Sequence, residues 1–347
     1  MSNIIKQKPW SILKPTDEKD YRSRRQLVKE LGLLSAGLLT WPAAFSACNS
    51  QKPQATDIDG LPVSQTLEQA PKIEGCDNCF TFPGMDEFYP PDRNKKYTLD
   101  RALSSEYDAT HYNNFYEFID RSDSNIYNAY KFVEPFDNRD WKIEVNGLCE
   151  NKGSFYLADL IKKFGIEERT YRFRCVERWA MAVPWSGFPL SKFIAWLRPD
   201  SKATHIRFTS FADTDQQPGV KNLTWYPWPY FEGLRMDEAM NELAFFATGL
   251  YGKPLPKQNG APVRLVVPWK YGYKNIKSIV KIEFVKKEPE TFWHKLQPVE
   301  YPFISNVDPM VPHPRWSQAE EQMIPDGEPR PTQKYNGYGE FVAGLYE

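Results

Sequence analysis

The chain is poor in the residues that announce a histidine-built metal site or a haem. It has four histidines and five cysteines in 347 residues. His111, His205, His294 and His313 show neither HExxH nor any other metal-ligand spacing, and read as structural or surface residues. No CxxCH for covalent haem and no Rossmann glycine fingerprint is present, so electrons for redox chemistry must come from outside the chain. Neither sign of charge is in excess: 44 basic and 45 acidic residues leave a net charge of −1. That excludes an overall basic field able to recruit nucleic acid, and no Lys/Arg block is long enough to form a binding tail. No internal repeat is visible. The N-terminal apolar run, residues 31–45, is too short for a membrane span.

Aromatic residues and proline are abundant: 15% aromatics with 11 Trp and 19 Tyr, and 29 Pro. This composition suits ordered, extended segments pinned by rings better than a helical bundle. An apolar fraction of 41% argues against disorder beyond the N-terminal region.

Residues 1–48 read as an address. Ser23-Arg24-Arg25-Gln26-Leu27-Val28-Lys29 precedes the apolar run, the pattern of a twin-arginine export signal. The alternative is a surface helix opening on two solvated arginines. Twin-arginine export moves folded proteins, often because a cofactor must be inserted first. Ala44-Phe45-Ser46 suits ordinary cleavage, whereas Phe45-Ser46-Ala47-Cys48 resembles a lipoprotein box that would leave a lipid anchor at Cys48. Phe45 stands where Leu is usual in such a box.

Residues 49–110 are polar and Pro-rich, a linker and extended arm, and residues 111–347 form the main domain. Residues 141–145 alternate apolar and polar and stop at Asn146-Gly147, which predicts a strand and a turn. Leu157, Leu160, Ile161 and Phe164 share one helix face. Residues 189–197 read as a helix with Pro189 in its first turn. Residues 205–210 and 279–285 alternate like strands, residues 236–250 read as a helix, and residues 263–267 as a buried-type strand ended by Pro268. From Trp293 onward the Pro-rich chain wraps the domain in coil and short elements. Interspersed strands and short helices predict an α+β fold of mixed sheets with long ordered coil.

Three segments carry chemistry. In Arg172-Phe173-Arg174-Cys175-Val176-Glu177-Arg178-Trp179 a cysteine is flanked by three arginines. A positive field favours the thiolate, the form that binds a soft metal; the alternative is a small buried cysteine with solvated arginines. In Asn259-Gly260-Ala261-Pro262-Val263-Arg264 and Pro268 to Lys277, an arginine inside a buried-type strand needs a partner, and a phosphate would serve. Gly260 and Gly272 allow close approach of backbone to a ligand. Lys274 and Lys277 suit a phosphate, or are lysines of an ordinary surface loop. Tyr112-Asn113-Asn114-Phe115-Tyr116-Glu117-Phe118 could hydrogen-bond a heterocycle or simply end a helix.

Together these segments resemble the methionine-sulfoxide-reducing branch of the sulfite-oxidase-like molybdopterin oxidoreductases. The resemblance runs through YNNFYEF, YRFRCVERW to VPWSGFPL, YFEGLRMDEAM, YGKPLPKQNGAPVRLVVPWKYGYKNIKSI, HPRWSQA and NGY, most of the chain after Tyr112. It implies the sulfite-oxidase-type molybdopterin-binding fold and a molybdenum-molybdopterin cofactor. Cys175 would be the protein ligand to the metal. Asn113, Tyr116, Glu117 and Ser210, in the strand after the Cys region, would contact the pterin. Asn259 and Arg264 would hold the pterin and its phosphate, and Asn275, Ile276 and Lys277 would cradle that phosphate. Ser210 stands where the family commonly has Thr, which keeps the hydroxyl. Asn275 stands where it commonly has Gly; Asn tolerates left-handed backbone better than most residues. Cys76-Asp77-Asn78-Cys79 is outside the family pattern and reads as a loop disulfide, with a redox pair as the alternative. One CxxC and four His are too few to favour a zinc knuckle. Cys149 reads as a buried free thiol.

The implied reaction reduces methionine sulfoxide in oxidised periplasmic proteins: the metal accepts the oxygen, and two electrons and two protons release it as water. The implied partner is a membrane haem b subunit drawing on the quinone pool. Glu177 is a candidate for hydrogen bonding around the metal ligand or for proton delivery. Trp179, Trp185 and Trp269 could form an apolar rim for a thioether, or pack in the core. The competing readings are a sulfite dehydrogenase on the same fold, running oxygen transfer the other way, and a metal-free periplasmic binding protein.

Overall fold

In the computed structural model of the chain, residues 86–119, 128–324 and 327–347 are described. The twin-arginine segment, Cys48 and the Cys76/Cys79 pair lie outside the described residues.

In chain order the strands are β1 (Lys142–Gly147), β2 (Gly153–Tyr156), β3 (Glu167–Arg174), β4 (Trp179–Pro189), β5 (His205–Ser210), β6 (Phe231–Arg235), β7 (Phe245–Leu250), β8 (Lys253–Pro254), β9 (Arg264–Val266), β10 (Ile279–Val285), β11 (Glu320–Met323) and β12 (Pro329–Pro331). The helices are α1 (Glu106–His111), α2 (Leu157–Phe164), α3 (Leu190–Leu197), α4 (Pro218–Asn222), α5 (Met236–Met240), α6 (Phe292–Leu296) and α7 (Gly339–Val342). One sheet runs β2-β1-β10-β5-β6; the other runs β12-β11-β4-β7-β8, with β3 on β4 and β9 on β7. The β1–β10 and β4–β11 pairs are parallel and the rest antiparallel. This is an α+β fold of mixed sheets with few, short helices.

The strands of the first sheet alternate because one face is packed. Ile143 and Val145, Ile206 and Phe208, and Ile282 and Phe284 are buried while their neighbours reach outward. Phe208 meets Phe246 of the second sheet with ring centroids 6.2 Å apart, and Phe188 and Phe193 close on the same ring at 5.9 and 5.7 Å. Leu157, Leu160 and Ile161 bury the inner face of α2. Gly165, at φ 65°, ends that helix with its N–H on the Ile161 carbonyl. Pro189 is the residue before α3, not part of its first turn.

The second sheet departs from the reading of residues 236–250 as one helix. Only α5 is helical. Asn241 turns extended (φ −62°, ψ 141°), and its side chain accepts from Leu243 N at 3.0 Å and donates to Phe341 O at 2.9 Å. The next residues form β7, buried at every position between β4 and β9. An element buried on both faces has no period to read, and β4, buried along its whole length, was missed for the same reason.

The arm is applied to this body. Tyr89 donates to Thr248 O at 2.8 Å, Tyr97 is buried, and Ser104 N pairs with Ala182 O at 2.8 Å. No helix among the described residues is long and apolar enough to cross a membrane.

Gly187 sits at the register shift between β4 and β7. A Cβ there would lie 2.0 Å from the Phe246 carbonyl oxygen. Gly187→Ala is expected to lower the unfolding free energy by roughly 1–3 kcal/mol, measured by denaturant titration, because the obstacle is backbone that cannot rotate away.

Candidate active site

β3 and β4 are joined by a tight turn, Cys175 to Arg178. Cys175 N donates to Trp179 O at 2.9 Å, and Arg178 N donates to Cys175 O at 3.1 Å. Arg178 takes the left-handed conformation (φ 75°) that lets the chain reverse. Glu177 N approaches Cys175 Sγ at 3.5 Å. Cys175 is buried and opens on a cleft of roughly 880 Å³, including its mouth, lined also by residues 112–117, Glu177, Asn259, Arg264 and residues 275–277. The candidates Cys175, Glu177, Asn113, Tyr116, Glu117, Asn259, Arg264, Asn275, Ile276 and Lys277 therefore surround one space. Ser210 does not line it: it is buried at the end of β5, paired with Ile279, and its hydroxyl meets Phe211 O at 3.3 Å.

The expectation that a positive field holds Cys175 as a thiolate fails. In an extended strand Arg172 and Arg174 share the face opposite Phe173. Arg172 pairs with Asp100 at 2.9 Å, Arg174 with Glu321 at 3.2 Å and Arg178 with Glu320 at 3.5 Å. Burial, with the Glu177 carboxylate beside it, pushes the Cys175 thiol well above its ordinary range, against a smaller opposing pull from Arg174 and Lys277. The protein alone keeps this sulfur protonated.

Arg264 is the most demanding residue of the cleft. It is buried, and burial alone lowers its pKa to about 9. It donates to Asn259 O at 2.8 Å and Asn275 O at 3.1 Å, and its guanidinium carbon lies 5.0 Å from the Trp185 ring and 5.6 Å from the Phe173 ring. Among the described residues no carboxylate pairs with it. Lys277 is likewise desolvated, which depresses its pKa; it donates to Asn114 O at 2.6 Å and lies 4.3 Å over the Phe115 ring. Glu117, buried on the 3₁₀ turn Tyr116–Phe118, has its pKa raised by burial against the pull of Lys277.

Backbone details shape this wall. Gly260, at φ 99°, would place a Cβ 2.6 Å from Lys277 Cβ, so its bareness lets the lysine pass into the cleft. Asn275 is not left-handed (φ −91°, ψ 68°). Its Oδ1 accepts from Val267 N at 2.7 Å and its Nδ2 donates to Tyr271 O at 3.2 Å, which ties the end of β9 to the following turn. Lys274, expected beside a phosphate, points elsewhere: it is buried against Glu232 at 2.6 Å and Gly233 O at 2.8 Å. Trp185 and Trp269 are completely buried in the core and Trp179 alone of the three lines the cleft. Cys149 is a buried free thiol.

Tyr112, the first residue of the Asn-rich segment, also lines the cleft, as do Tyr230, Tyr273, Trp293 and Tyr301, which were not singled out from sequence. Tyr116 packs edge-on against Trp293 at 5.0 Å, and Trp293 tilts against Tyr301 at 5.4 Å. Asn114 was also passed over as a separate site residue. It donates to Glu177 Oε2 at 3.2 Å, and only its place between Asn113 and the aromatics signalled it.

The donor set fits a pterin carrying a phosphate. Asn113 Oδ1, Asn114 Oδ1 and Asn259 Oδ1 are buried without a hydrogen-bond partner, acceptors for the N–H groups of a heterocycle. Arg264 and Lys277 share the cleft with the Glu117 and Glu177 carboxylates; Glu117 acts on Lys277, and Arg264, paired with no described carboxylate, is left for an anion to neutralise. Cys175 offers soft sulfur. Among the described residues no cluster of three or more His, Cys, Asp or Glu could hold a metal, so a metal at Cys175 would draw its other ligands from the bound group.

A family model described as "Oxidoreductase molybdopterin binding domain" matches residues 130–293. The chain is 43% identical to "Protein-methionine-sulfoxide reductase catalytic subunit MsrP" of Xanthomonas axonopodis pv. citri (strain 306), over 95% of this chain and 93% of that one. It is 52% identical to the protein of the same name from Xanthomonas campestris pv. campestris, over 69% of this chain and 74% of that one. Among solved structures, the sulfane dehydrogenase SoxCD of Paracoccus pantotrophus aligns at 17% identity and TM-score 0.38, covering 64% of this chain and 57% of that one.

The uncompensated charge is open to direct test. Inorganic pyrophosphate at about ten times its Kd is expected to raise the stability of the cofactor-free chain by about 1.4 kcal/mol, a few degrees in Tm. Chloride at equal ionic strength should not. Arg264→Met should remove the effect; an equal rise in that variant would show that the anion binds elsewhere.

Proposed function

The chain belongs to the family of protein-methionine-sulfoxide reductase catalytic subunits, and from that membership we propose that it reduces methionine sulfoxide to methionine at a molybdenum-molybdopterin centre with Cys175 as the protein ligand. It is an oxidoreductase with a molybdopterin-binding domain. The observation that carries the reading is the convergence of one buried thiol, two desolvated cations and three unpaired asparagine oxygens on a single cleft.

The bound group would supply a two-electron centre able to accept oxygen. The chain would do the rest. Cys175 would hold the metal. Arg264 and Lys277 would neutralise the phosphate, with the backbone of Asn275 and Ile276 against it. Asn113, Asn114 and Asn259 would accept from the heterocycle, and burial of all three fixes its orientation at little entropic cost. At the mouth, Tyr116, Trp293 and Tyr301 present ring edges and faces suited to a thioether sulfur. Conversion of a sulfoxide to a thioether and water consumes two electrons and two protons. Glu177, half-buried and accepting from Asn114, stands where it can pass protons from solvent at its carboxylate oxygens.

The rest of the proposal concerns place and partners. The Ser23–Lys29 pattern supports export of the folded chain to the periplasm, where oxidised proteins would be the substrates. Lacking a haem or nucleotide motif, the chain would take electrons from a membrane haem b subunit fed by quinones.

The test uses holoprotein purified from a molybdenum-replete host. It should contain stoichiometric molybdenum and reduce methionine sulfoxide with a viologen donor, without oxidising sulfite. Substitution of Cys175→Ser should lower kcat/KM by more than about 100-fold, since removal of groups one bond further from a metal already costs 10–100-fold. Full turnover in that variant, or sulfite as the better substrate, would overturn the reading.

A further inference from the structure

The Cys175 turn is held from behind by side chains that do not line the cleft. Arg174, fully buried, donates from Nη1 to the Cys175 carbonyl. Gln318, 1% exposed, donates from Nε2 to the Val176 carbonyl at 2.7 Å, and Trp316 Nε1 reaches the same oxygen at 2.8 Å. Gln318 Oε1 also accepts from Arg174 Nη2 at 2.8 Å, so arginine and glutamine close a ring around two consecutive carbonyls.

The ring is anchored in turn. Arg174 meets Glu321 at 3.2 Å and donates to Thr332 Oγ1 and Glu320 O, each at 3.2 Å. Glu321, 2% exposed, is held by Arg101 at 3.1 Å and Arg330 at 3.0 Å. A hairpin turn ordinarily leaves such carbonyls to water. Here they are saturated by donors from the C-terminal wrap and from the last residue of β3, on the side away from the cleft. A peptide plane fixed at its oxygen fixes the rotation of the neighbouring Cα, and that rotation sets where Cys175 Sγ points.

The geometry points to Arg174, Gln318 and Trp316 as positioning residues that aim Cys175 Sγ into the cleft, an inference that rests on the reading of Cys175 as the metal ligand. A bland alternative is that the ring only ties the C-terminal wrap to the body. The two differ in what a substitution moves. A tie changes stability alone; an aiming device also changes the environment of one sulfur.

Gln318→Met keeps the length of the side chain and removes both of its bonds; Trp316→Phe removes one bond to Val176. Ile161→Val in α2, buried far from the turn in sequence and not lining the cleft, serves as the stability control. In the full chain without cofactor, alkylation of Cys175 by iodoacetamide, mapped by peptide mass spectrometry, is expected to rise about tenfold in both variants, the factor expected when a net hydrogen bond of ordinary strength no longer holds the turn closed. In the loaded protein the sulfur-to-metal charge-transfer absorption should shift in both variants. The Ile161→Val control should change neither.

Wild-type alkylation rates and wild-type absorption in both variants would overturn the inference, as would changes matched by the control at equal loss of Tm. If Gln318→Met does not fold, Trp316→Phe decides alone. Absence of a sulfur-to-metal absorption in the wild-type loaded protein would instead overturn the ligand reading, and the alkylation arm would still decide whether the ring positions the thiol.

Discussion

Arg264 places a positive charge inside the protein with no carboxylate against it among the described residues, and the cleft is organised around that fact. An isolated buried charge is among the most destabilising features a fold can carry. Here two carbonyls and two aromatic faces replace part of the lost water. Both carbonyls belong to segments that also line the cleft, Asn259 on one side and Asn275 on the other. The arginine thereby sets the spacing of the walls it needs for its own solvation. Lys277 adds a second desolvated cation, admitted by the bare backbone of Gly260. Lys277 has the Glu117 carboxylate beside it, whereas Arg264 has no described carboxylate, which is why a phosphate-bearing group suits the site better than a neutral one.

Much of this could be read before the structure, and the boundary is physical. Strands with one packed face, such as β1, β5 and β10, carry a period of two, and α2 carries its own apolar face, so the limits of β5, β10 and α2 were legible to the residue; β1 runs on through Asn146-Gly147, read as a turn, because both pair with β10. β4 and β7 are buried on both sides; their runs of apolar residues fit helix or strand equally, and pairing partners distant in the chain decide. In the site, Arg264 was legible because a charge in a buried-type strand demands a partner whatever the fold. Lys274 and Lys277 were not separable, because which lysine turns inward depends on Glu232, a residue of another strand. Trp185 and Trp269 went to the core for a similar reason: no spacing distinguishes a rim tryptophan from a packed one.

The arginines around Cys175 show how a composition argument misleads when geometry is omitted. Three positive residues within three positions of a thiol suggest a thiolate. Each instead pairs with an acid, Asp100 for Arg172, Glu321 for Arg174 and Glu320 for Arg178, although Glu321 also serves Arg101 and Arg330. Arg174 and Lys277 still pull the thiol downward, but burial outweighs them and the thiol stays protonated. A protonated, buried sulfur is a poor nucleophile, slow to oxidise. The arrangement suits a sulfur meant for one bonding partner more than one exposed to solvent oxidants.

The C-terminal wrap, read from sequence as coil and short elements, serves both sides of that sulfur. Trp293 and Tyr301 stand at the front, in the wall of the cleft; Trp316, Gln318 and Glu321 stand behind the turn. Just before β11, the side chains of Trp316 and Gln318 donate to the Val176 carbonyl of the Cys175 turn, so the buried polar groups of that turn find their partners in this segment. Its prolines matter in the same sense. By restricting the unfolded chain they lessen the entropy lost when the wrap is laid down. The long coil is therefore not a tail on a finished domain: without it the cleft would lack an aromatic wall, and the residue at its floor would lose the bonds behind it.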